Sequence, residues 1–342
     1  MRVLLVDNMQ LRRYGNVRML PDGMFAAGAV RNGWRVMEFS DRDIGRYLSV
    51  CGLRPVGEHR VNRKLVETAL AFRPDILLIG HCDFIRNRAL AEIRAALPSC
   101  RLAHFNYDAI WQAWTCHQIR ERMESTDGIF TATAGTGLRQ FLTGRNFAAF
   151  MPTPCDDAFE TEDNSRKTAF EHDLLFCGRD APGSFRDRLM REVYEAVRDK
   201  LRFSLFGMFG KPPVYSAAYE AALAASKMSL NLSREDGWPL YSSDRIGHLM
   251  ANGILTFQSA GGGFQRFFSE REMVFFDGTR DLIDKILYYH AHDDERRAVA
   301  AAGRTAYRRL FNSARVLKFM AETLTGVPYS ESYEWADEVY WR

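Results

Sequence analysis

Short apolar runs alternate along the chain with longer amphipathic stretches. Residues 2–6 (RVLLV) predict a strand, followed by a loop that holds Arg12, Tyr14, Gly15 and Asn16. An amphipathic helix over 24–32 stops at Gly33, and residues 35–39 form the next strand. The spacing then predicts a helix over 62–72, a strand in DILLIG (75–80) and a helix over 88–96. Strands follow at RLAHFN (101–106), 129–131 and 147–151. Residues 152–172 carry no apolar period, two prolines and five acidic residues in DDAFETED, the composition of a linker. The alternation then restarts. Strands are expected at 173–177, 202–206, 228–232, 254–258 and 274–276. Helices are expected at 185–197, 217–225, 243–251, 281–290, 293–311 and 312–324.

Two successive strand-and-helix sets predict an α/β chain of two doubly wound, Rossmann-like domains. The boundaries read from the pattern are 1–155 and 156–325. Such sheets bind ligands at the carboxyl ends of their strands, and two of them facing each other leave a central cleft.

One stretch of the second set concentrates polar groups at such an edge. The strand ending in LNLS is followed by a ten-residue loop and then YSSDRIGHLMANG, Tyr241 to Gly253. Ser242 or Ser243 is placed to cap the helix, and Ile246, Leu249 and Met250 share its apolar face. Asn252-Gly253 ends it, because glycine accepts a left-handed backbone. A helix start exposes unpaired N–H groups, and Arg245 in the first turn adds a fork of donors suited to phosphate. Asp244 is suited to a sugar or ribose hydroxyl. An ordinary capped helix explains the same letters, and spacing does not separate the two readings.

Composition narrows the class. The chain has 342 residues, 46% of them hydrophobic and 26% charged, as in globular proteins. No apolar run approaches the roughly 20 residues of a membrane span, and the N-terminus reads as a strand rather than a signal peptide. The six cysteines lack metal-ligand spacing and read as reduced core thiols of a cytoplasmic protein. Residues 1–150 carry 21 Lys and Arg against 14 Asp and Glu, while the rest carry 25 against 29. The basic half suits an anionic acceptor or a peripheral contact with an anionic membrane, or is an arginine-rich solvated surface. No basic cluster interleaved with aromatics appears, so nucleic acid is not an expected partner.

LNLSREDG and YSSDRIGHLMANGILTF, followed by SEREMVFFDGTRDLIDKILYYHAHDDERRAVAAAGRTAYRRLFNSARV, resemble the C-terminal half of CgeB-like glycosyltransferases. These belong with the group 1 glycosyltransferases of GT-B fold. The phrases that carry the likeness are Glu272 to Phe276, Leu282 to Ile286 and Glu295 to Gly303. The likeness covers about residues 173–320 and is diffuse before them. It implies metal-independent transfer of a sugar from a nucleotide-sugar donor, most simply a UDP- or GDP-sugar, with no cofactor. The second domain would hold the donor. The first would hold a saccharide, lipid-linked or protein-linked acceptor, as in surface polysaccharide biosynthesis. Gly178-Arg179 matches the family's basic position after the first donor-domain strand, and Arg186 falls near the second. The implied donor contacts are Gly178, Arg179, Arg186, Tyr241, Ser242, Ser243, Asp244 and Arg245. One position departs from the family: five residues before Gly253, where a glutamate is common, stands His248, a further candidate substrate contact that could bond a hydroxyl or be a helix-face histidine with no ligand.

In the first domain, His81 and Asp83 follow DILLIG and Asp108 follows RLAHFN, all at strand ends. Asp108 and His81 are the candidate catalytic bases. Gly15 and Asn16 are candidate substrate contacts in the first strand–helix loop. The acidic, aromatic tail 326–342 is expected to pack back on the basic first domain. The rival reading, left open by His248, is a catalytically silent sugar-nucleotide- or partner-binding module on the same fold.

Overall fold

The structure is a computed structural model that describes residues 1–9, 11–12, 15–16, 21–49, 54–179, 181–241 and 243–341. The chain divides into two compact units, Met1–Pro154 with Ser313–Arg342, and Cys155–Asn312.

The first unit begins with β1 (Arg2–Asp7), a hairpin of β2 (Leu11–Arg12) and β3 (Gly15–Asn16), α1 (Pro21–Arg31), β4 (Arg35–Ser40) and α2 (Asp41–Leu48). It continues through α3 (Arg54–Phe72), β5 (Ile76–Ile79), α4 (Asn87–Ala96), β6 (Arg101–Asn106), α5 (Ala113–Met123), β7 (Gly128–Thr131) and β8 (Phe147–Phe150). The second unit runs β9 (His172–Cys177), α6 (Phe185–Val197), β10 (Phe203–Phe206), α7 (Ala217–Ala224), β11 (Ser226–Asn231) and α8 (Arg245–Ala251). It closes with β12 (Leu255–Ser259), β13 (Val274–Phe276), α9 (Gly278–Ala291) and α10 (Asp293–Phe311). The chain then returns to the first unit as α11 (Ser313–Thr325) and β14 (Val339–Tyr340).

The sheet orders are β14-β8-β7-β6-β5-β1-β4 and β10-β9-β11-β12-β13. Strands β1 and β4–β8 run parallel, as do all five of the second sheet, and β14 alone joins antiparallel. In both units the first strand lies between the second and third long strands. The chain therefore winds outward in both directions from one point, the doubly wound arrangement. Helices cover both faces, so central strands such as β5 and β7 are buried at every position, and β5 (ILLI) reads in sequence as an unbroken apolar run. In the first unit, Leu4, Leu77 and Leu102 pack with Leu65 of α3 and Leu90 of α4. In the second, Phe176, Leu230 and Phe257 pack with Met190 of α6 and Ile286 of α9.

Three expectations change. The segment 152–172 is no solvated linker. Asn164 and Glu160 in it are fully buried, and the Asn164 amide donates to the carbonyls of Leu223 and Ser226 at 2.7 Å each. The second domain ends at Asn312, not at 325, because α11 packs on α1. A side chain at Gly28 would come within 2.5 Å of the Ser313 carbonyl oxygen, so glycine is what lets the two helices meet, and the Asn32 amide donates to Ala314 O at 2.8 Å. Helices α2 and α5 lie outside the predicted elements. The buried face of α5 is Thr115, Cys116, Gln118, Ile119 and Arg122, too polar to register as an apolar stripe.

The tail folds against the first unit. Trp335 is fully buried, 5.5 Å from the Phe319 ring and under the Arg315 guanidinium at 5.0 Å. Val339 pairs with Ala149 of β8.

Candidate functional site

In the second unit the winding direction reverses between β9 and β11. From β9 the chain leads through α6 to β10 on one side. From β11 it leads through α8 to β12 on the other. The carboxyl ends of β9 and β11 therefore stand side by side without a connection filling the gap between them.

Arginines from both flanking helices reach these ends. Arg245, in α8, donates from Nη1 to the Cys177 carbonyl at 2.9 Å and from Nη2 to the Leu232 carbonyl at 2.8 Å. Arg186, in α6, donates to the Arg179 carbonyl and, at 3.4 Å, to Leu232. Both guanidinium groups lie over the ring of Phe176, at 5.0 Å for Arg245 and 5.7 Å for Arg186. Both are buried. Their fixed forks answer strand-end carbonyls that helices and ladders leave unpaired. Gly178 allows this closeness: a Cβ there would lie 2.8 Å from the Phe176 ring.

Arg245 is thus placed as a brace between strand ends rather than as an outward-facing phosphate donor, and Arg186 likewise. Arg179 differs. It is exposed, its Nη2 lies 3.3 Å from the Tyr215 hydroxyl, and no carboxylate among the described residues pairs with it. The GMFGKPPVY loop after β10 supplies Tyr215 and so sets where that guanidinium rests.

Asp244, not a serine, occupies the cap position of α8. The helix begins at Arg245, and the Asp244 side chain makes no capping bond. The Ser243 carbonyl accepts from the Ile246 N–H at 3.2 Å. Ser242 lies outside the described residues. Tyr241 is half-buried and lines an open cleft with Glu235, Asp236, Trp238, Gln258 and Gly262. Asp236 accepts from the Ser259 hydroxyl at 2.6 Å, and the Asn231 amide donates to Gln258 at 2.6 Å. The cleft sits at the carboxyl ends of β11 and β12. It offers carboxylates, an amide and aromatic faces, the groups that bind hydroxyl-rich rings. Glu235, Asp236 and Trp238 were not singled out by sequence; the signal for them was a ten-residue loop at the ligand edge.

His248 is buried in the second unit. Its Nδ1 lies 2.7 Å from Glu160 Oε1, and both side chains are essentially sealed from water. The other Glu160 oxygen accepts from the Asp156 N–H at 2.8 Å, and the Tyr219 ring meets the imidazole edge-on at 5.8 Å. A glutamate is present here after all, but it comes from the 152–172 segment and is bound to the histidine.

In the first unit, the carboxyl ends of β4, β5 and β6 collect a second group. His81 is partly exposed, with Nε2 3.8 Å from Asp83. Burial, and next the nearby Arg42 charge, hold its pKa below the usual histidine value, against the opposing pull of Asp83 and Asp108. Arg42 pairs with Asp83 at 2.6 Å. Beneath them, buried Asp41 accepts from the N–H groups of Asp83 and Phe84 at 2.8 and 3.1 Å, and desolvation raises its pKa to about 6. The Asp108 N–H donates to the Asn106 side chain at 2.9 Å, and α5 starts later, after Gln112. Gly15 and Asn16 lie in β3, paired with Arg12 and Leu11 in the loop after β1; Tyr14 lies outside the described residues. Among the described residues no cluster of three His, Cys, Asp or Glu is arranged to hold a metal ion.

Residues 186–322 match a protein-family model described as glycosyl transferase-like. No curated protein matches the chain by sequence. Solved structures match over nearly the whole chain. Anabaena HepE, solved with UDP-glucose, is 13% identical, with a TM-score of 0.61 over 96% of this chain and 100% of its own. AviGT4, a glycosyltransferase of avilamycin A biosynthesis, is 15% identical, with a TM-score of 0.57 over 95% and 98%. Sucrose-phosphate synthase of Thermosynechococcus elongatus is 12% identical, with a TM-score of 0.54 over 94% and 98%. The chain has the GT-B fold, and residues 186–322, from α6 of the second unit into α11 of the first, match the glycosyl transferase-like model.

Proposed function

We propose that the protein transfers a sugar from a nucleotide-sugar donor to a hydroxyl of a saccharide or glycoconjugate acceptor. The observation that carries this reading is the glycosyltransferase-like match of residues 186–322, which spans the exposed cleft at β11 and β12. HepE was solved with UDP and with UDP-glucose, which favours a UDP-sugar over a GDP-sugar. On this reading Arg179 meets the donor diphosphate, where positive charge stabilises the departing group. Glu235, Asp236 and Gln258 bind hydroxyls of the donor, with Trp238 and Tyr241 beside them. Gly178, Ser243, Asp244 and the two buried arginines shape the edge rather than supply ligand bonds. In the first unit His81 is the preferred acceptor base, since its lowered pKa keeps it unprotonated at neutral pH. Asp108 is the second candidate.

The diphosphate is proposed to need arginine rather than a divalent cation, so chelator should leave the rate unchanged. The phrases Glu272 to Phe276 and Glu295 to Gly303 favour the CgeB-like branch and a role in surface polysaccharide synthesis. The basic residues 1–150 suit a cytoplasmic protein with peripheral membrane contact.

The test is donor hydrolysis and transfer with a panel of UDP-, GDP-, ADP- and CMP-sugars. Turnover of one nucleotide class is expected, and Arg179→Ala should weaken its binding by about 1.5–3 kcal/mol with little change in Tm. The buried Glu160–His248 pair, in place of a ligand-facing glutamate, favours one rival: a silent sugar-nucleotide-binding module. Binding of UDP-sugars without hydrolysis or transfer would select it.

A further inference from the structure

The first unit carries an exposed aromatic surface outside the cleft at β11 and β12. Trp114 stands in the first turn of α5 and is 54% exposed. Its ring lies 6.2 Å from that of His81 and 6.5 Å from that of His117. His81 follows β5 and α5 follows β6, so all three rings gather at the carboxyl edge of the sheet. Leaving an indole in water forgoes about 25 cal/mol for each Å² of apolar surface that could be covered. Most exposed side chains of this kind are scattered singly, but this one is bordered by groups able to bond hydroxyls. His81 is partly exposed beside Asp83, Asp108 acts on His81 electrostatically, and His117 lies 3.7 Å from Glu121. An apolar face rimmed by imidazole nitrogens and carboxylates fits a ring with one C–H face and a hydroxyl edge. The nearby acids Asp83, Asp108 and Glu121 disfavour an anionic lipid surface at this spot.

We propose that Trp114, with His81 and His117 beside it, is a stacking platform for a pyranose ring of the acceptor. The inference rests on the transfer reading for its role and names the acceptor class: a pyranoside presenting an unsubstituted C–H face. The indole takes that face, and the histidines and Asp83 or Asp108 take the hydroxyls. One ring docked there places its hydroxyl edge next to the His81 imidazole.

The experiment uses the full chain and ligand-observed saturation-transfer NMR. The probes are methyl β-glucopyranoside, methyl α-mannopyranoside, methyl β-galactopyranoside and N-acetylglucosamine. Saturable binding of at least one is expected. Trp114→Ala should raise its Kd tenfold or more, and Trp114→Phe should restore most of the loss. Thermal unfolding and the shift in Tm produced by UDP should stay those of the unsubstituted protein, which separates the effect from misfolding and from loss of the donor site. Absence of saturable binding of any probe would overturn the proposal, as would equal affinity in the alanine variant. So would a variant that keeps pyranoside binding but loses binding to phosphatidylglycerol vesicles, which would make Trp114 a membrane contact. If pyranoside binding depends on Trp114 while no nucleotide sugar is turned over, the sugar platform stands and the transfer reading fails.

Discussion

His248 shows how a family position can keep its place and change its work. By sequence it stands where a ligand-binding glutamate was expected. In the fold it is sealed against Glu160, from a segment about ninety residues earlier. Removing one partner of a buried polar pair leaves the other desolvated and unanswered, at a cost of about 3–5 kcal/mol. His248→Ala should therefore lower stability by that order in chemical denaturation. His248→Glu, which would restore the family letter, should do no better, because it sets two carboxyl groups against each other in a dry site. A His248→Ala protein of undiminished stability would make the pair incidental. The sequence showed the substitution but not the partner, since nothing in DDAFETED announces that Asp156 and Glu160, of its five acids, are the buried ones. Arg245 has the same lesson. Its number and helix were legible, yet its donors go to two backbone carbonyls that only the topology brings together.

At the scale of elements, strands were the most legible part. A parallel strand covered on both faces favours apolar residues, and β5 (ILLI) and β13 (VFF) announce themselves that way, whereas β11 (SKMSLN) buries a lysine, two serines and an asparagine and shows through only in part. Helices that bury polar groups did not. Helix α2, DRDIGRYL, buries Asp41 at its start and Gly45 against its neighbours, so its inward face carries little apolar signal. That buried acid gives the element a pH signature. Its folded pKa of about 6 lies above the ordinary aspartate value of 3.8. Between these values the folded protein holds a proton that the unfolded chain has lost. The contribution of Asp41 to stability is thus greatest below about pH 4 and declines as pH rises to about 6. The difference corresponds to about 3 kcal/mol. Asp41→Asn keeps an oxygen for the Asp83 and Phe84 N–H groups and removes the titration. Unfolding measured from pH 4 to 6.5 should show a shallower fall for that variant than for the parent; parallel curves would remove Asp41 as the source.

The molecule as a whole is held by a chain that crosses from the first unit to the second and back. The first crossing was legible as a loss of apolar period after residue 151. The return at Asn312 was not, because α10 and α11 share a helical period and only an extended residue separates them. What gives the return its strength is side-chain burial after it. Trp335 is among the largest fully buried side chains, Arg315 bridges Glu331 and Glu334 at 2.7 and 2.8 Å, and the Gly135 N–H donates to Glu338 at 2.8 Å. The tail thereby completes the first unit although it follows the second in sequence. Trp335→Ala removes a buried aromatic and leaves a cavity beside Phe319, a change that typically costs about 3–5 kcal/mol. The loss should fall on the first unit. In hydrogen exchange the amides of β8 and α11 should lose protection, while those of β9 and β11 keep theirs. Equal loss in both sheets would mean that the two units unfold as one, and the tail would then be a clasp for the whole chain rather than the last piece of one domain.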